Sequence, residues 1–185
     1  MADTKLTIKQ IELSLYNSPW FDKRGDIMIP NLSWGLLNHE ADFCIINKTH
    51  HLTEIEIKRS FSDFKADFKK NEFHKDEKIY RFFYCVPEKI YDKVVNFMAE
   101  EAQVKKFVDT YGLYYRKPGI LTYDELGNIT MTNYSTGYTG YGRKLFLEEM
   151  VKIGRYMSLR YWSAINKFVG MPKIEENQED SKEIL

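Results

Sequence analysis

The sequence is poor in cysteine, with only Cys44 and Cys85 among 185 residues. Two thiols inside apolar runs cannot supply a disulfide framework, and they read as buried small hydrophobes in a reducing compartment. Long hydrophobic runs are missing too: nothing approaches the roughly 20 apolar residues that span a bilayer. The opening Met1-Ala2-Asp3-Thr4-Lys5 leads into mixed sequence rather than the apolar stretch of an export signal. A cytoplasmic protein with no membrane partner is expected, so triplets such as Asn47-Lys48-Thr49 carry no glycosylation meaning. Net charge is also lacking, since 27 Lys and Arg face 27 Asp and Glu. That balance excludes a protein that wraps nucleic acid by charge alone. Zinc-type Cys/His spacing, a nucleophile elbow and a dinucleotide fingerprint are absent.

What is present fits one domain with a ring-rich core, because aromatics reach 15% and hydrophobic residues 43%. The charge is uneven. Residues 171–185 hold two Lys against five acids (Glu175, Glu176, Glu179, Asp180, Glu183), which predicts an acidic, disordered tail behind a slightly basic domain over 1–170.

Periodicity predicts the elements. Residues 5–17 read as a helix through Ile8, Ile11 and Leu15. Ile27-Met28-Ile29 reads as a short strand running into Pro30. His39 to Ile46 and Leu52 to Lys58 alternate on either side of the polar turn Asn47-Lys48-Thr49-His50-His51, which predicts an antiparallel hairpin. Ser60-x-x-Asp63 resembles a capping box opening a helix whose buried face is Phe61, Phe64 and Phe68. Ile79 to Val86 is a strand ended by Pro87, and Glu88 to Glu101 an amphipathic helix. Strand-like runs follow at Gly112–Arg116 and Ile129–Asn133. A last helix from about Arg143 to Phe168 carries the stripe Phe146, Met150, Ile153, Met157, Tyr161, Ala164 and Phe168, a core-facing spacing. The order describes an α/β fold, with a mixed central sheet flanked by helices and an added long C-terminal helix.

The hairpin carries the chemistry. Side chains alternate faces along a strand, so Glu40 and Asp42 share a face on the first strand, and Glu54, Glu56 and Lys58 on the second. With the turn centred near Thr49, Asp42 falls opposite Glu56 and Glu40 opposite Lys58. Acids gathered on one face repel one another unless something compensates. A divalent cation with oxygen ligands and several waters does so, and Mg²⁺ suits two or three carboxylates. Such a metal lowers the pKa of a bound water and offsets charge on a scissile phosphate. A lysine two residues past Glu56 points the same way and adds positive charge. Glu-Ile-Glu-Ile-Lys taken alone also describes an ordinary exposed strand, with its charged face in water.

An acid, thirteen intervening residues, then Glu56-Ile57-Lys58 and a following helix resembles the PD-(D/E)XK nuclease superfamily. The usual proline before the first acid is replaced by Ala41. More of the chain is similar to the MmcB-like DNA-repair proteins and their phage relatives. The matching strings are Ile29-Pro30-Asn31-Leu32-Ser33-Trp34-Gly35, His39-Glu40-Ala41-Asp42, Glu54-Ile55-Glu56-Ile57-Lys58, Ser62-Asp63-Phe64-Lys65-Ala66-Asp67 and Phe83-Tyr84-Cys85-Val86-Pro87. Arg160-Tyr161-Trp162 fits more weakly. The likeness covers about residues 25–120.

The resemblance implies a restriction-endonuclease-like core and metal-dependent hydrolysis of DNA, in repair or recombination and in a bacterial or phage setting. It assigns Asp42 and Glu56 as ligands of Mg²⁺, with Mn²⁺ able to substitute, and Lys58 as the catalytic lysine. Glu40 is a further ligand or metal-water partner. A first-helix carboxylate often joins such sites, and Glu12 is the candidate, between Ile8, Leu15 and Tyr16. The competing expectation is a catalytically inactive DNA-binding or scaffold module with the same fold.

Lys65, Lys69, Lys70, His74 and Lys75 are candidates for contacts to DNA phosphates, which position a duplex without reading it. A plain solvated face, balanced by Asp63, Asp67 and Glu72, is the alternative. His50 and His51 read as turn residues. The loop Gly137 to Gly142 lacks a P-loop's order: Arg143 stands where Lys is needed and Lys144 where Ser or Thr is, so nucleotide binding is not expected. The long last helix either closes the core or pairs two copies into a homodimer.

Overall fold

The computed structural model describes residues 6–32, 35–69, 76–100, 118–132 and 142–169. The predicted strand Gly112–Arg116, most of the Gly/Tyr loop and the acidic tail lie outside them.

Helix α1, Ile8–Asn17, starts at Thr7, whose hydroxyl accepts from the Gln10 amide while the Gln10 side chain caps Thr7 in return. That box satisfies two of the orphaned donors of the first turn. Strands β1 (Ile27–Leu32), β2 (Ala41–Ile46) and β3 (Leu52–Ile57) follow, then α2 (Phe61–Asp67), β4 (Ile79–Pro87), a single 3-10 turn (Glu88–Ile90) and α3 (Tyr91–Ala99). Strands β5 (Gly119–Tyr123) and β6 (Ile129–Met131) complete one six-stranded sheet in the order β1-β2-β3-β4-β5-β6, and α4 spans Leu147–Val169. β1, β2 and β3 run antiparallel in turn, β3, β4 and β5 run parallel, and β6 is antiparallel to β5. The sheet is mixed and flanked by helices, as the sequence predicts.

The alternation of the strands divides the core in two. Ile11 and Leu15 of α1 pack on one face against Phe43, Ile45, Ile55, Ile57 and Phe83. The other face carries Cys44, Ile46, Leu52, Phe82 and Tyr84 under Phe64 and Phe68, Val94 and Met98, and Ile153 of α4. The rings of Phe64, Phe68, Phe97 and Tyr84 meet mostly edge to face, with centroids about 5–6 Å apart, an arrangement their quadrupoles favour. The two thiols are buried and unbridged, as expected.

Three elements differ from the sequence-based expectation. Strand β2 begins at Ala41 rather than His39. β5 has no counterpart among the predicted strands, because all five of its residues are buried and Gly-Ile-Leu-Thr-Tyr shows no alternation. The stripe predicted for the last helix is packed only from Met150 to Met157, with Phe146 before it 62% exposed. Ile153 is fully packed and Met150, Tyr156 and Met157 partly so, whereas Tyr161 is 60% and Phe168 90% exposed. The helix also starts four residues later than predicted. Arg143 is used instead to clamp Glu149 through two bonds of 2.7 and 2.8 Å, while Glu149 accepts from the Phe146 amide and caps the helix start. Gly142 has no substitute here, since a Cβ would lie 2.1 Å from the Tyr80 Cα.

Candidate active site

The hairpin has the register predicted from its turn. Phe43 pairs with Ile55, and continuing by one residue sets Asp42 opposite Glu56. Both lie on the face covered by α2, α3 and α4. Burial lifts the Cys44 thiol well above its usual range, and the charges of Glu54, Glu56 and Asp42 lift it further.

Each acid has its own support. Asp42 is half-buried, and its Oδ2 accepts the Ile57 amide at 2.8 Å, which fixes the carboxylate across the hairpin. Glu56 Oε1 lies 2.7 Å from Lys58 Nζ. Lys58 also reaches Asp67 Oδ1 on α2 at 3.1 Å, and the Tyr84 hydroxyl donates to the other Asp67 oxygen at 2.9 Å. Lys58 and Glu56 are each 5% exposed and Asp67 1%. Burial opposes the ammonium charge of Lys58, but attraction to Glu56 and Asp67 outweighs it, and its pKa stands above the ordinary lysine value. The lysine is therefore held as a cation at neutral pH and acts as a hydrogen-bond donor, not as a base.

Local sequence explains why a lysine is held here. Its backbone amide continues the ladder by donating to the Cys85 carbonyl at 2.9 Å. The Ser60 hydroxyl then accepts from the Asp63 amide, and Asp63 in turn accepts from the Arg59 amide, so α2 starts at once and folds back over the strand end. Asp67 follows Phe64 by three positions, so the aromatic stripe carries it inward. The sequence-based alternative, in which Asp67 balances a solvated face, is corrected on that ground.

Glu12 is drawn to the same end of the sheet from the opposite layer. It is buried on α1, and its Oε1 accepts from Asn31 Nδ2 at 3.1 Å, with Lys9 at 2.8 Å from its second oxygen. Asn31 is the β1 residue opposite Asp42 in register, between the pairs Pro30–Phe43 and Leu32–Ala41. Its φ of 50° places it in the left-handed region that asparagine tolerates. Glu40 is not part of this arrangement. It precedes β2 and is exposed, and the acids on Lys58 are Glu56 and Asp67.

Two groups that sequence reasoning leaves out join the site. Glu54 is fully buried and bonded to His39 Nε2 at 2.9 Å, and Asp67 completes the hold on Lys58. Parity already sets Glu54 on the face of Glu56 in the sequence without giving it a role, and the spacing of Asp67 from Phe64 is the signal that could have found the second. Lys65 on α2 and Lys69 in the turn after it are exposed and line a cavity of about 390 Å³ with Ser62, Phe68 and Phe97. Lys70, His74 and Lys75 lie outside the described residues. His51 packs its ring against Tyr80 at 4.1 Å, and His50 takes a φ of 63° in the turn, consistent with turn roles.

Among the described residues, no group of three or more His, Cys, Asp or Glu side chains is gathered tightly enough to hold a metal ion. The donor chemistry of Asp42 and Glu56 still fits a hard cation: two oxygen donors on one face of a hairpin, the remaining positions left to water. Also among these residues, no helix is long and apolar enough to cross a membrane.

No protein-family model matches the chain, and no curated protein matches it. A solved structure of a protein of unknown function from Silicibacter pomeroyi aligns with it over 92% of this chain and 99% of its own, at a TM-score of 0.55 and 16% identity. The two chains share a fold. At that identity the likeness extends to the α/β architecture and not to chemistry.

Proposed function

We propose that the chain is a Mg²⁺-dependent nuclease of the PD-(D/E)XK type that hydrolyses phosphodiester bonds in DNA, with Mn²⁺ able to substitute, acting in repair or recombination. The observation that carries this reading is the set of Asp42, Glu56 and a charged Lys58 at one strand end, in the register an acid, acid and lysine motif requires. Asp42 and Glu56 would hold the cation, which supplies Lewis-acid stabilisation of phosphate charge.

The protein's own groups have separable roles. The Ile57 amide orients Asp42. Glu56 and Asp67 keep Lys58 protonated, and its fixed positive charge is available to the phosphate as negative charge develops. Glu12, reached through Asn31, is the additional carboxylate from α1.

A second reading, an inactive DNA-binding or scaffold module, is favoured by one observation: Lys58 is enclosed between two buried acids that already neutralise it. Cleavage of labelled single-stranded, duplex and branched DNA in Mg²⁺, Mn²⁺ or EDTA separates the two. Glu56→Gln is the cleaner partner variant, because alanine would remove bulk as well as charge beside a buried ammonium. Metal-dependent cutting that falls by about 100-fold or more in the variant is expected. DNA left intact in every condition, yet bound equally with and without metal, would replace the nuclease by the binding module.

A further inference from the structure

From Lys152 to Val169 helix α4 carries four cations (Lys152, Arg155, Arg160, Lys167) and no acid. Lys152, Arg155, Leu159 and Trp162 recur at helical spacing and form one outward stripe. Lys152 and Arg155 rim a cavity of about 220 Å³ whose floor is Leu32, Leu36, Ile153 and Tyr156. One turn further on, Trp162 is 58% exposed, with its ring 5.3 Å from that of Tyr161. An apolar slot rimmed by two cations and, beyond it, a pair of exposed rings set edge to face therefore lie along one helix.

This stripe adjoins the candidate site. Tyr156 donates its hydroxyl to the Asn31 carbonyl, and Arg160 donates to the Pro30 carbonyl and to the Tyr156 oxygen. Asn31 is the residue opposite Asp42 and bonded to Glu12. The helix also packs on the sheet face that carries Asp42 and Glu56.

We infer that this face of α4 binds single-stranded nucleic acid, with an unpaired base in the cavity, another on Trp162, and the phosphates on Lys152 and Arg155. Charge selects the occupant. A second copy of this stripe would set Lys152 and Arg155 against like charges with no acid of the stripe between them, whereas a phosphate backbone is complementary to both. Exposed aromatic faces beside cations suit bases that are free to unstack, which a duplex does not offer. The inference deepens the nuclease reading by naming single-stranded or frayed DNA as the substrate. It rests on that reading for the consequence of binding, and on α4 alone for the binding itself.

The test is anisotropy of a labelled oligothymidylate with the full chain in EDTA, so that binding is read apart from cleavage. Binding that weakens as salt rises and quenches tryptophan fluorescence is expected. Trp162→Ala should lower affinity about tenfold and remove most of the quench, and Arg155→Glu should flatten the salt dependence. Affinity unchanged in both variants overturns the proposal. So does preferential binding to anionic phosphatidylglycerol vesicles over the oligonucleotide, or a dimer on gel filtration that Trp162→Ala converts to monomer. If binding behaves as expected but no condition yields cleavage, the nuclease reading fails and the α4 surface stands. Cleavage accompanied by binding that is indifferent to Trp162 and Arg155 removes the α4 surface and leaves the nuclease in place.

Discussion

The end of the β2–β3 hairpin and the second half of α4 invert the usual placement of residues in opposite ways. At the hairpin end Glu54, Glu56, Lys58 and Asp67 are buried. Along α4 Leu159, Tyr161, Trp162, Phe168 and Val169 stand more than half exposed. Buried charge and exposed apolar surface are the placements that folding alone does not favour. Lys58 ties Glu56 to Asp67, and Asp67 also holds Tyr84, so removing one of these groups disturbs the others. Among the described residues, none of these exposed α4 side chains belongs to either half of the core.

The comparison is broken most severely at the buried end. Asp67→Ala removes one of the two carboxylates on Lys58 and the acceptor of Tyr84, leaving an under-compensated cation in the core. A loss of about 3–5 kcal/mol is expected, read from the urea midpoint. A change below about 1 kcal/mol would mean that the Lys58 ammonium reaches water, and the account of a held, protonated lysine would have to be abandoned.

Alkaline pH probes the same region. Burial lifts the Tyr123 phenol from 10.0 to about 12, and Lys58 is lifted above 10.5 by its two acids against the opposing effect of burial. Both groups bind their proton more tightly when folded. Their contribution is therefore fully present below the unfolded values and is lost as pH rises through the folded ones. Stability should fall between about pH 10 and 12, with Tyr123 accounting for about 3 kcal/mol of it. Tyr123→Phe should blunt that fall while leaving stability at pH 7 changed by no more than about 1 kcal/mol, as thermal melts across the range would show. At acid pH the sign reverses. The Arg143 bonds hold Glu149 below its usual value, so its contribution at the start of α4 is present above 4.5 and lost as pH falls through the depressed value.

Much of this is legible in the sequence, for a physical reason. The polar turn at Asn47–His51 and the alternation on both sides favour one register, which keeps Phe43, Ile55 and Ile57 on the α1 face, and shifting it by one residue would carry them to the face of Cys44 and Tyr84. Lys58 is legible as sharing the face of Glu56. Its partner Asp67 does not stand out, since an acid on a lysine-rich helix looks solvated unless its spacing from Phe64 is weighed. β5 escapes because a strand buried on both faces has no alternation to read. The last helix reads as more deeply packed than it is, because periodicity reports that a stripe exists and says nothing of how far the body extends beneath it. The stripe outruns its partner at about Arg160.

The smallest expected effect completes the comparison. Trp162→Ala and Phe168→Ala, alone or together, should shift the urea midpoint by no more than about 0.5 kcal/mol, because neither side chain is buried and surface changes of this kind rarely matter to folding. The contrast with Asp67→Ala, a single small side chain in the core, is what gives the result its meaning. Large aromatics that can be removed without cost to the fold are available for a contact outside the chain. A loss of about 2 kcal/mol or more would show instead that these rings pack within the protein, and the free face of α4 would no longer exist to bind anything.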